Sequence, residues 1–161
     1  MRKIIGVLMG AAMLVGMAAP ASAATNNQRF TIVAKFSANG PTSCQVVATG
    51  PIQGTGTCTI DEVSNIVTII HVMLPNGTVD IRAKETKSTD QFNEAACVDT
   101  FTFTENFRIT GGTGAYAGAS GSGTDTGQGV FTAPRTPQGC DENSGSGFVV
   151  ANAIGHVNLG G

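Results

Sequence analysis

The residues able to do chemistry in this chain are few, and most of them interrupt an otherwise apolar pattern. Glu105 stands in "FTFTENFRI", on the same alternating face as Phe101, Phe103, Phe107 and Ile109. A carboxylate held there loses solvation, so its pKa rises and it becomes a candidate general acid. The competing reading twists the strand and brings Glu105 to the rim, paired with Arg108 or Arg82. Glu85 follows Val79, Ile81 and Ala83 on one face but comes at the strand's end, where exposure is expected. His71 lies in "NIVTIIHVML" on the face of Val67, Ile69 and Met73, either as a cavity base or as a hydrogen-bonded core or interface histidine. His156 shares a face with Phe148, Val150, Asn152 and Ile154, which makes Asn152 and His156 further pocket or rim candidates. No Ser-His-Asp arrangement is suggested.

The four cysteines, Cys44, Cys58, Cys97 and Cys140, carry a different kind of chemistry. Their even number predicts two disulfides in an oxidising compartment, which removes thiol catalysis. Cys44 and Cys58 are symmetric about Pro51 in "CQVVATGPIQGTGTC", so a hairpin turning at Gly50-Pro51 sets them opposite each other. Cys97 and Cys140 then remain to pair. The chain-entropy relation assigns roughly 3 kcal/mol to the shorter loop and roughly 4 to the longer. No Cys-x₂₋₄-Cys spacing occurs, so neither a metal site nor a cofactor is expected.

The N-terminus supports the same compartment. Arg2 and Lys3 precede an apolar run from Ile4 to Ala19, followed by Pro20 and Ala21-Ser22-Ala23. This is the layout of a signal peptide over residues 1–23, leaving residues 24–161 as one exported domain, extracellular or periplasmic. Nothing then holds that domain in a membrane. The exported part has seven basic against eleven acidic side chains and no basic tract, which argues against nucleic acid as a partner. Trp is absent and charge is sparse, while Thr, Gly, Val and Ala dominate, a composition suited to strands and tight turns.

The elements that must position these residues have period two throughout. Strands are expected over 30–36, 43–49, 54–62, 65–74, 79–84, 98–110, a short one at "GVFTAP", and 147–159. Residues 86–96 are polar and read as a loop. The stretch 65–74 is apolar on both faces, implying cover on both sides and hence a subunit interface. Eight or nine strands without a helix leave two all-β architectures, a closed antiparallel barrel or a β-sandwich.

Between two of these strands runs "ITGGTGAYAGASGSGT". It meets the permissive dinucleotide fingerprint, but the residues after it cannot sustain the helix that would hold a pyrophosphate. Glycines at 111, 112 and 114 suit a sharp strand reversal, with Tyr116 plugging the end of the core. The glycines at 118, 121 and 123 suit a strand that coils tightly or passes beneath a large side chain. Phe107-Arg108-Ile109 followed by Gly111, Gly112, Gly114, Tyr116, Gly118, Ala119 and Gly121 resembles the corner motif of the allene oxide cyclase and dirigent barrel family. That resemblance implies an eight-stranded up-and-down antiparallel β-barrel of calycin-like form, a dimer or trimer, with an apolar cavity. It also implies a role in steering ring closure or coupling of a small hydrophobic molecule, in the manner of a cyclase or isomerase. The alternative is a non-catalytic extracellular module whose barrel is filled by its own side chains.

Overall fold

The computed structural model describes residues 26–160; the expected signal peptide at 1–23 lies outside them. The main strands are β1 (Asn27–Ser37), β2 (Gly40–Thr49), β3 (Gly54–Ser64), β4 (Val67–Leu74), β5 (Gly77–Asn93), β6 (Val98–Gly112) and β7 (Ser120–Thr132). A two-stranded ribbon, β8 (Arg135–Thr136) and β9 (Gly139–Cys140), precedes the last strand, β10 (Ser146–Asn158). Eight of these close into an antiparallel barrel in the order β1-β10-β7-β6-β5-β4-β3-β2. Consecutive strands are neighbours except where β8 and β9 intervene, and β1 pairs with β10 to close the tube. The sandwich alternative is thereby set aside, and the barrel leaves few open sheet edges.

Alternation decides what fills the interior. Phe30, Ile32 and Ala34 of β1, Val46 and Ala48 of β2, Val72 of β4 and Val79, Ile81 and Ala83 of β5 are all buried. Across β6 and β7 the filling is unusual. Phe101 stands opposite Gly129, Phe103 opposite Gly127, Phe107 opposite Gly123 and Ile109 opposite Gly121. Each ring lies over the glycine that faces it: a Cβ on Gly127 would collide with the Phe103 ring, and one on Gly123 would come within 2.7 Å of Phe107. Large and small residues are thus matched across one seam. Gly127→Val should therefore destabilise by about 1–3 kcal/mol through overpacking. Urea unfolding would measure it, and a variant as stable as the parent would refute the packing argument.

One end of the barrel is sealed. Ile52, in the β2–β3 turn, is fully buried, and its backbone N–H donates to Gln28 Oε1 at 2.9 Å. The Gln28 amide donates in turn to Ile52 O at 3.0 Å, so this buried polar side chain is satisfied. The glycine run forms the adjoining corner: β6 ends at Gly112, a single 3₁₀ turn spans Gly114–Tyr116, and β7 starts at Ser120. Gly114 and Gly118 have φ of 61° and 75°, a conformation that a side chain would strain. Tyr116 is buried in the core and its hydroxyl donates to Gln53 O at 3.1 Å.

Both disulfides form as expected. Cys44 pairs with Cys58 across β2 and β3 (Cα–Cα 4.9 Å), and Cys97 pairs with Cys140 (Cα–Cα 5.4 Å). Such bonds suit an oxidising compartment.

Two strands differ from expectation. The polar stretch 86–96 is not a loop up to Asn93: β5 runs on, shifted in register between Glu85 and Lys87, and pairs with Val98–Thr104. Since β4 begins at Val67, opposite Lys84, this extension has only one neighbour and Thr86–Asn93 are all exposed. A ribbon wet on both faces needs no apolar alternation. The short strand expected at "GVFTAP" extends back to Ser120, because its inward positions are glycines that give no hydrophobic signal. On β4, the outward Ile69, His71 and Met73 are only partly covered within the single chain.

Candidate functional site

The Phe–Gly seam is broken at one rung. Where a ring and a glycine would be expected, Glu105 of β6 stands directly opposite Asp125 of β7. Glu85 of β5 is the register partner of Glu105 on its other side. Three carboxyl groups therefore form one row across β5, β6 and β7, facing inward. Period-two alternation puts Glu105 there, on the parity of its flanking phenylalanines, and it rules out the rim pairing. Arg82 and Arg108 are register partners of each other on the outer face.

Next to this row the open half of the barrel holds a cavity of about 380 Å³. Its walls include Ile32, Phe36, Ile70, Phe101, Phe103, Val149 and Ala151, with the buried Asp125 and the half-buried Glu105 among its polar members. Phe36 meets the Phe101 ring edge to face at 6.0 Å and stacks on Phe131 at 5.9 Å, which stiffens one wall. The mouth lies at the end away from Tyr116, bordered by Ser37, Gly40, Pro41 and Glu62. It coincides with a fork between β2 and β3. These strands pair only from Gln45↔Thr57 to Ala48↔Gly54, and the Cys44–Cys58 bond lies just beyond the last pair on the cavity side. Above that bond Gly40 and Pro41 diverge from Ile60 and Glu62, and both sides line the cavity.

The interior shifts the carboxyl groups strongly. Burial, then the nearby charges of Asp125 and Glu85, push Glu105 up to about 7. Asp125 is 2% exposed and rises to about 6 through burial, with the backbone amides of Thr126 and Asn152 pulling the other way. Its Oδ1 has no hydrogen-bond partner. Two carboxyl groups on facing positions of adjacent strands cannot both ionise readily, so near neutral pH the pair holds a proton to give.

The remaining expected residues are distributed elsewhere. Glu85 borders a second hollow of about 350 Å³ that shares Phe101, Phe103 and Glu105 with the cavity, and its Oε1 accepts from Ser88 Oγ at 2.6 Å. Tyr116 belongs to the sealed end, away from the cavity. His71 points outward from β4 rather than inward, its Nδ1 2.7 Å from Asp80 Oδ1 and its Nε2 3.4 Å from Asp61 Oδ2. Even-numbered residues of β4 take the interior, so an odd-numbered histidine cannot reach it. Asn152 is also outward, with its Oδ1 accepting from Thr31 Oγ1 at 3.1 Å, and His156 is exposed near the sealed end.

Asp125 escaped the sequence reading altogether. Its signal was parity with Gly121, Gly123, Gly127 and Gly129, which marks an inward face only once the glycines are known to lie under rings. Comparison with known proteins adds no relative: no family model matches the chain, and neither a curated protein nor a solved structure matches it.

Proposed function

We propose that this chain is a secreted barrel protein that binds a small hydrophobic molecule in the open half of the barrel and acts on it as a cyclase or isomerase. The observation that carries the reading is the paired Glu105 and Asp125, set in the wall of an apolar cavity of about 380 Å³. That volume lies within the range of small-molecule sites. A carboxylic acid with a pKa near 7 is suited to donate a proton at neutral pH. Glu105 gives its proton to an electron-rich double bond of the ligand, the bonding pair forming the new C–H bond. The cation that results closes or shifts within the shape of the cavity and loses a proton to the Asp125 carboxylate. Exchange with solvent resets the pair. Holding a pre-folded chain against the acid supplies most of what such a reaction needs. The corner motif from Phe107 to Gly121, with its resemblance to allene oxide cyclase and dirigent barrels, supports the same reading, as do two disulfides and the N-terminal charge pattern. Assembly as a dimer or trimer would use the outward face of β4, where Ile69 is half-buried and Met73 exposed.

Purification of the native protein, followed by mass spectrometry of its organic extract, tests the binding. One apolar molecule should be recovered in proportion to protein, and Ala151→Phe, which fills the cavity, should lose it. Recovery undiminished in that variant would overturn the site. With the molecule in hand, Glu105→Gln should lower turnover at least about a hundredfold while leaving binding in place; unchanged turnover would remove Glu105 as the acid.

A further inference from the structure

We infer that the preferred ligand of this cavity is a hydrophobic cation, an ammonium on an apolar body, with its charge seated against Glu105 and Asp125. The inference rests on the binding reading above and specifies the charge of what is bound. Three carboxyl side chains, Glu62, Glu105 and Asp125, line the cavity, and among the described residues no Lys, Arg or His does. Glu85 reaches the same row from β5. The basic side chains of the surrounding strands, Arg29 and Lys35 of β1, Arg82, Lys84 and Lys87 of β5 and Arg108 of β6, are all exposed and leave the interior charge unbalanced.

Asp125 adds the second, independent observation. It is 2% exposed, lines the cavity, and keeps Oδ1 without a partner. A buried acceptor left unpaired is costly, and Asp125 Oδ1 would bond an N–H donor arriving there. Phe36, Phe101 and Phe103 line the same cavity and supply aromatic surface for the apolar body of such a ligand. An anionic ligand such as a fatty acid would meet repulsion from every charged group in the wall, and a neutral one would leave the carboxyl pair as it is. The inferred preference also agrees with the proposed chemistry, in which positive charge develops at this place.

Binding of an ammonium requires the Asp125 carboxylate, while Glu105 can keep the proton that the chemistry uses, and in the free protein Asp125 is protonated at mildly acidic pH. Affinity should therefore rise with pH between 5 and 8, with protons released on binding.

The test uses three probes of one shape, 1-naphthalenemethylamine, 1-naphthalenemethanol and 1-naphthoic acid, with Nile red as a neutral reporter of the cavity. At pH 8 the amine should bind at least tenfold more tightly than the alcohol, and the acid most weakly. Amine affinity should fall at least tenfold on going to pH 5, while that of the alcohol changes little. In a Glu105→Gln, Asp125→Asn variant the amine should lose its advantage while alcohol and Nile red still bind. Should that variant not fold, the pH dependence of the unaltered protein decides alone. Alcohol or acid binding as tightly as the amine, or a flat amine profile, would overturn the charge inference and leave the cavity reading standing. An amine preference that survives the double substitution would overturn the assignment to this pair. Failure of all three probes and of Nile red would remove the binding reading itself.

Discussion

Heated at pH 5 and at pH 8, this protein should prove more stable in acid, against the usual behaviour of carboxylate-rich proteins. Glu105 and Asp125 have pKa values near 7 and 6 in the folded chain, against 4.5 and 3.8 for the free groups. The folded state therefore binds protons more tightly than the unfolded one. Stability from that preference is complete below the unfolded values and is lost as pH rises through 6 and 7. Discounted for solvent reaching Glu105 from the mouth, the loss from pH 5 to pH 8 should be about 2 kcal/mol. For a domain of this size that corresponds to roughly 7 °C in Tm. Calorimetry at the two pH values measures it. Replacing both groups, Glu105→Gln with Asp125→Asn, should flatten the profile; a slope that persists would place the titrating groups elsewhere.

Breaking the Cys97–Cys140 bond should cost more. On the chain-entropy relation, releasing a loop of 43 residues' separation destabilises by about 4 kcal/mol. The structure indicates where that loss is felt. Cys97 is buried at the tip of the β5–β6 ribbon, and its carbonyl accepts from Ala133 N at 2.9 Å. The bond fastens the excursion through β8 and β9 to that tip. A Cys97→Ser, Cys140→Ser variant should lose about that much stability in urea and be cleaved first between residues 133 and 146, with the barrel core intact. If cleavage began instead in β1 or β2, the bond would be serving the barrel itself. The Cys44–Cys58 bond closes a shorter loop and should cost about 3 kcal/mol by the same relation. Its removal should also reach the ligand site, because it stands at the fork that forms the mouth.

How much of the molecule is legible in its sequence depends on where alternation operates. β6 declares itself, since Phe101, Phe103, Phe107 and Ile109 face one medium and Thr100, Thr102 and Thr104 the other; the same count places Glu105 inward. The symmetric spacing of Cys44 and Cys58 about Pro51 reveals one hairpin and, by remainder, the second bond. β7 is half hidden, because its inward residues are glycines whose burial depends on rings from another strand. Asp125 is hidden with it. The far part of β5 gives no signal for the opposite reason, being wet on both faces. His71 is ambiguous because both faces of β4 are apolar and parity alone does not say which is inner; closure of the barrel decides it.

The seam of rings and glycines also constrains how this chain can change. Neither Phe103 nor Gly127 can vary freely, since a side chain gained at Gly127 needs an equal volume surrendered at Phe103. Gly123 and Gly129, by contrast, are held as glycines by the Ile154 and Phe148 carbonyl oxygens as well as by the rings. Descendants of this sequence should accordingly exchange bulk between Phe103 and Gly127 in concert, with the ring migrating from one strand to the other. Wherever that exchange happens beside Glu105 and Asp125, the bound molecule must change shape with it.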